Sequence, residues 1–234
     1  MSAILNNSQK NQNNTFKNTP PNPNGAILVW DLDKTLVANY FDMVTSIEEP
    51  IINTNALRTM NTAMKGNFSA NMMLTNNGNL RFIHFVIFLM TKKYNEMFPD
   101  EQVAFLFSVI YTAAMNPDGT YKDSRIPDTT VPESKTDPRY VAKRLEDVRN
   151  MCVEGEIPAD NLAERVFFFD DMPTHIIRGE ITRGHYIQIQ PPFNTVEGVE
   201  GDLTDYSPIM AFSAEVNKQR QRKTRRKNRN ERRK

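Results

Sequence analysis

The sequence predicts an α/β fold, a doubly wound and mainly parallel sheet of about five strands with helices on both faces. Two observations carry this prediction. Short continuous apolar runs alternate along the chain with longer segments of helical periodicity, and strands buried on both faces read as unbroken apolar runs. The acidic and hydroxyl clusters also fall directly after those runs, where parallel sheets gather their ligands, beyond the carboxyl ends of the strands.

The elements follow in order. Residues 1–25 are rich in asparagine and contain Pro20-Pro21-Asn22-Pro23; such a segment buries too little apolar surface to offset ordering entropy, and disorder is expected. Ala26 to Trp30 is the first strand. Asn53 to Lys65 carries Ala56, Leu57, Met60, Ala63 and Met64 at helical spacing, with Gly66 as a stop. Ala70 to Leu74 is a second strand, ending at Thr75-Asn76-Asn77-Gly78. Leu80 to Met97 is a long helix closed by Pro99, and Phe105 to Tyr111 is a third strand on its β-branched and aromatic content. Residues 116–136 form a loop. Asp137-Pro138 supplies an N-cap and a first-turn proline for a helix with Val141, Leu145, Val148 and Cys152 on one face. Val166 to Phe169 is a fourth strand, Thr174 to Ile181 a short helix, and Tyr186 to Ile189 a fifth strand. The domain organisation is therefore a tail at 1–25, a folded domain at 26–212 and a basic tail at 213–234.

Composition excludes several classes. One cysteine, Cys152, among 234 residues forbids an intramolecular disulfide and a cysteine-based metal cluster. The apolar run from Phe82 to Met90 is far short of the ~20 residues a bilayer-crossing helix needs, and Ala3-Ile4-Leu5 does not resemble a secretory signal. The expected setting is intracellular, cytoplasmic or nuclear, with no membrane partner. From Lys218 to Lys234 eleven Lys or Arg stand against the single acid Glu231, a net +10; in a chain of net charge +1 the rest carries −9. Such a tail suits nucleic acid, an acidic protein or a localisation receptor.

The chemistry lies in the acids. Asp31 and Asp33 follow the first strand, and Asp170-Asp171 follow the fourth. Carboxylates at buried strand ends repel one another unless a cation neutralises them, and an all-oxygen ligand set favours Mg²⁺ over zinc. Thr75 and a lysine would bind phosphate oxygens at such a site. His84, His175 and His185 are scattered and are expected to be structural or surface residues, while Phe82, Phe85 and Phe88 are expected in the core.

Asp31-Leu32-Asp33-Lys34-Thr35 after Val29-Trp30 resembles the DxDxT signature of the haloacid dehalogenase superfamily. Met73-Leu74-Thr75-Asn76-Asn77 resembles its second motif, and Phe167-Phe168-Phe169-Asp170-Asp171 its fourth. Lys135-Thr136-Asp137-Pro138 resembles its third motif, with Thr136 departing from the pattern; Lys143 is the alternative lysine. The resemblance spans about 26–190. It implies a capless, Rossmann-like, Mg²⁺-dependent phosphomonoester hydrolase. Asp31 would be the nucleophile, Asp33 the acid and then the base, and Thr75, Asn76 and the lysine the phosphate ligands. Asp31, the Asp33 carbonyl and Asp170 would ligate Mg²⁺, with Asp171 acting through water. It further implies that the fourth and second strands flank the first. Asp31-Leu32-Asp33-Lys34-Thr35-Leu36-Val37 also resembles polymerase-tail protein phosphatases, which carry Asp-Asn where this chain has Asp170-Asp171. The implied substrate is a phosphoprotein or a nucleic-acid end. The alternative is a non-catalytic nucleic-acid-binding or scaffold protein on the same fold.

Overall fold

The structure, a computed structural model, describes residues 22–38, 50–112, 143–172, 175–189, 207–209 and 211–212. The tails and Lys135 lie outside these residues. Strand β1 (Ala26–Trp30) leads through helix α1 (Thr54–Lys65) to β2 (Phe68–Thr75), then through α2 (Leu80–Met97) and a 3₁₀ turn (Pro99–Glu101) to β3 (Val109–Thr112). Helices α3 (Leu145–Glu154) and α4 (Leu162–Arg165) precede β4 (Val166–Asp170), and α5 (Ile177–Glu180) precedes β5 (Tyr186–Gln188). The five strands form one open, all-parallel sheet in the order β3-β2-β1-β4-β5. The expected α/β fold is observed, with β2 and β4 on either side of β1.

Alternation along β1 divides the core. Ala26, Leu28 and Trp30 face α1 and α2, packing on Leu57, Met60, Ile83 and Val86. Ile27 and Val29 face the other layer, with Val148, Met151 and Cys152 of α3 and Ile177. Side chains of successive strand residues point to opposite faces, so a run apolar at every position builds both layers. Trp30 stacks on Phe169 with ring centroids 3.7 Å apart, and its indole N–H donates to Asn71 Oδ1 at 2.7 Å.

Three expectations are corrected. β3 starts at Val109 instead of Phe105, and within 105–108 the Leu106 carbonyl is bonded to a side-chain amide and not to a backbone N–H of a neighbouring strand. Asn95 accepts from Val103 N and donates to its carbonyl, and Asn71 donates to the Leu106 carbonyl. The helix containing Val148 and Cys152 starts at Leu145. Arg144 before it is extended, and Asp147 accepts its N–H at 3.0 Å. Phe85 and Phe88 are 49% and 65% exposed. Helical geometry turns them away from the stripe of Phe82, Ile83, Val86, Met90 and Tyr94 that faces the sheet. No helix among the described residues is long and apolar enough to cross a membrane.

Candidate active site

The parallel register sets the site. Trp30 lies level with Met73 of β2 and Phe169 of β4, so the next residues, Asp31 and Asp170, leave adjacent strands side by side. Asp31 N–H donates to the Phe169 carbonyl at 2.9 Å, which holds the two strand ends together at that point. Thr75 closes β2 one residue further along and is fully buried. Asp31, Asp170 and Asp171 bring carboxylate oxygens within 4.8 Å of one another.

Lys143 enters this cluster from the segment before α3. Its Nζ lies 2.6 Å from Asp31 Oδ1 and 2.7 Å from Asp170 Oδ2, and the residue is 2% exposed. The Lys143 carbonyl accepts the Ile177 N–H at 3.1 Å, which pins the lysine backbone to α5. Burial by itself would depress the ammonium, but Asp170 and Asp31 outweigh it and hold its pKa above the ordinary lysine value. Burial would likewise raise Asp170, yet Lys143 and then His175 hold it well below the usual carboxylate range. Asp31 is raised, chiefly by burial and further by Asp170, with Lys143 opposing. Asp171 is pushed up to about 7 by burial and by the charges of Asp31 and Asp170. Burial and the charges of Asp31 and Asp170 thus outweigh the opposing ammonium groups of Lys143 and Lys34 at Asp171.

The donors are hard carboxylate oxygens, close enough together that they could hold one metal ion.

The loop after β1 is tightly wound. Leu36 and Val37 N–H both donate to the Leu32 carbonyl, at 2.9 and 3.1 Å, and Lys34 adopts a left-handed φ of 58°. Asn53 holds the loop from α1, donating from its side chain to the Thr35 carbonyl at 3.1 Å while accepting Ala56 N–H as helix cap. Asp33 projects from this loop, and its two carboxylate oxygens accept from Asn77 Nδ2 at 3.2 and 3.0 Å. The Asp33 carboxylate is thus outside the cluster of Asp31, Asp170 and Asp171. Asn77 N–H donates to Thr75 Oγ1 at 3.0 Å, and Asn76 between them is partly buried.

Strand β5 fixes the loop after β4. Ile189 N–H donates to the Asp170 carbonyl at 2.9 Å, and Gln188 donates to that of Asp171 at 3.2 Å. Tyr186 Oη donates to the Met172 carbonyl at 2.8 Å, and Met172 N–H donates to Asp170 Oδ1 at 2.9 Å. Burial, Asp170 and Asp31 raise the Tyr186 phenol, so it stays a neutral donor.

Of the residues singled out from sequence, Asp31, Asp170, Asp171 and Lys143 meet directly, and Thr75 and Asp33 are joined through Asn77. Two neighbours were given no role at the site from sequence. His175, expected to be structural or at the surface, is 5% exposed with Nε2 3.4 Å from Asp170 Oδ2. Asn77 sits in a stretch that reads as an ordinary turn. Comparison with known proteins adds nothing to this geometry: no family model, curated protein or solved structure gives a significant match.

Proposed function

We propose that the chain is a Mg²⁺-dependent phosphomonoester hydrolase of the haloacid dehalogenase type, acting through an aspartyl-phosphate on Asp31. The observation that carries this reading is the convergence of Asp31, Asp170, Asp171 and Lys143 at the carboxyl ends of β1 and β4. An isolated acidic group would not suffice. A buried ammonium bridging the nucleophile and a second carboxylate, with a buried threonine ending the next strand, supplies the parts phosphoryl transfer needs.

Asp31, Asp170 and Asp171 are the side chains that would hold Mg²⁺, with the Asp33 carbonyl as a further oxygen. Bound there, the ion supplies charge neutralisation for the carboxylates and the phosphate they face. Asp31 attacks phosphorus as the bond to the leaving oxygen breaks, and Asp33 gives that oxygen a proton. Asp33, now a carboxylate, takes a proton from the water that attacks the aspartyl-phosphate, and the Asp31–phosphorus linkage breaks to release inorganic phosphate. Lys143 orients Asp31 and pairs with the phosphate. Thr75 already accepts from Asn77 N–H, so its hydroxyl hydrogen remains to donate to a phosphate oxygen; Asn76 is the further phosphate contact in this reading. Lys143, not Lys135, takes the lysine role here because of its distances to Asp31 and Asp170.

The substrate class follows from what can cover the site. In this reading the chain is capless, since segments 39–49 and 113–142 are each shorter than the ~40 residues below which a domain seldom folds alone. A phosphoprotein or nucleic-acid end is the class that suits such a site. The test is phosphate release from nitrophenyl phosphate, with Mg²⁺ and with chelator, followed by phosphopeptides, nucleotides and 3′- or 5′-phosphorylated oligonucleotides. Mg²⁺-dependent release, with kcat/KM higher for the macromolecular substrates than for nucleotides, is expected. No release from any of them would leave the non-catalytic reading standing.

A further inference from the structure

We propose that Asn77 is a positioning residue for Asp33, fixing the carboxylate that carries the proton to and from the leaving oxygen. The inference rests on the phosphatase reading. Its ground is that every polar group of Asn77 for which a bond is described points in a determined direction. The side-chain Nδ2 donates to both oxygens of Asp33, at 3.2 and 3.0 Å. The side-chain Oδ1 accepts Asn79 N–H at 2.9 Å, and the backbone N–H donates to Thr75 Oγ1 at 3.0 Å.

An asparagine side chain can ordinarily be turned over, exchanging its oxygen and nitrogen. Here it cannot. Turning it would set the amide oxygen against the Asp33 carboxylate and the NH₂ group against the Asn79 N–H, replacing attractive pairs with like-against-like contacts. The donor face is therefore committed to Asp33. The chain of bonds continues, because Asn79 Oδ1 accepts Phe82 N–H at 3.1 Å as the N-cap of α2. Asp33 sits on a loop, while α2 is eighteen residues long and packed on the sheet through Phe82, Ile83, Val86, Met90 and Tyr94. Asn77 thus ties a loop carboxylate to the start of a helix whose apolar face is buried in the core. Placing a catalytic group within a fraction of an ångström requires such a support. The same residue orients Thr75 through its backbone, so the proton-transfer group and the phosphate ligand share one brace.

The experiment compares a good and a poor leaving group, nitrophenyl and alkyl phosphate, across wild type, Asp33→Asn, Asn77→Asp, Asn77→Ala and Asn79→Ala in Mg²⁺, with a thermal melt of each. Asn77→Asp keeps the acceptor for Asn79 N–H but turns an oxygen toward Asp33. General acid catalysis is worth roughly 10²–10⁴-fold. Misplacing the acid is therefore expected to lower alkyl phosphate turnover about tenfold or more beyond any loss on nitrophenyl phosphate, as Asp33→Asn does to a larger extent. Asn77→Ala reports the same selectivity if Asn77→Asp does not fold. Asn79→Ala loses the helix cap and should lower the melting temperature without that selectivity. Equal losses on the two substrates in the Asn77 variants, with Asp33→Asn still selective, would overturn the inference and leave the phosphatase reading intact. The same selectivity in Asn79→Ala would also overturn it, by showing that a weakened helix start is enough. A wild-type chain inactive on both substrates would overturn the two together.

Discussion

Two buried cations sit at opposite ends of the sheet, and they are held in different ways. Arg165, 3% exposed, lies at the amino end of β4. It donates to the carbonyls of Gly25, Pro158 and Asp160 and to Ser69 Oγ, at 2.7–3.0 Å. Lys143, at the carboxyl end, touches two carboxylates of a cluster that holds a third. The guanidinium bonds are spread over neutral dipoles that also close the chain around β1. Gly25 permits that closure, since a Cβ there would lie 2.5 Å from the Phe68 carbonyl carbon. A cation held by backbone carbonyls is a bracket. A cation bridging two carboxylates of a cluster of three is, in the proposed reading, part of the active site.

Substitution should separate the two roles. Lys143→Met is expected to lower phosphatase turnover by roughly 10²–10³-fold, the usual effect of removing one preorganised charge or donor at a reacting centre. Its fold should persist in Mg²⁺, where the ion still balances Asp31 and Asp170. Arg165→Met should do the reverse. Three carbonyls and a hydroxyl lose their donor, so stability should fall by about 3–5 kcal/mol, with turnover per folded molecule unchanged. Urea melts and steady-state rates on the same preparations check both, and a rate loss in Arg165→Met as large as that in Lys143→Met would erase the distinction.

The carboxylate cluster at the carboxyl end has a pH signature of smaller size. Asp171 in the folded chain is pushed up to about 7, from an ordinary 3.8. Between those values the folded state keeps a proton that the unfolded chain releases, so this group's contribution to stability falls as pH rises from about 4 to about 7. Without metal, wild type should therefore lose roughly 4 kcal/mol across that window relative to Asp171→Asn. Asp170, held low, acts in a different range: its contribution is present above 3.8 and is lost as pH falls below it. Saturating Mg²⁺ should flatten the wild-type curve. Parallel curves for the two proteins in chelator would mean that Asp171 is not under the strain its neighbours impose.

These contrasts also show what the sequence could and could not reveal. β1 was legible because a strand buried on both faces is apolar at every position, and Asp31, which alone reads as an ordinary turn residue, because Thr75 and Asp170-Asp171 end other apolar runs in the same way. Asp170 was legible for the same reason, and parallel register did the rest. Lys143 was harder to single out. Lys135 is followed by Asp-Pro and matches a local pattern, whereas Lys143 reaches the cluster because its carbonyl is bonded to Ile177 N–H and Arg144 is extended, facts of tertiary structure with no local signal. Asn77, though it lies in the stretch that resembles the second motif, and His175 carried no role for a related reason, since polar residues in turns are common and only a partner distant in sequence gives them meaning. The start of β3 is not legible because Leu106 and Phe107 are buried like strand residues, while the Leu106 carbonyl is bonded to the Asn71 side chain.

The smallest expected effect on the site comes from furthest along the chain. Deleting the residues from Lys218 onward removes a net +10. Turnover of a small aryl phosphate should be unchanged, while most oligonucleotide affinity at low salt should disappear. Binding by the full chain should weaken linearly in log–log with salt, at about −0.7 to −0.9 per phosphate neutralised. Unaltered oligonucleotide binding after truncation would reduce the tail to a solvated end or a localisation signal.

The central claim rests on one carboxylate, and Asp31→Asn tests it most directly. The amide is nearly the same shape, so far-UV circular dichroism should match that of wild type and the chain should still melt cooperatively, but the amide cannot attack phosphorus. The measurement is Mg²⁺-dependent phosphate release from nitrophenyl phosphate by the two proteins side by side. The account predicts turnover in wild type and none above background in folded Asp31→Asn; sustained turnover by the folded variant would contradict it.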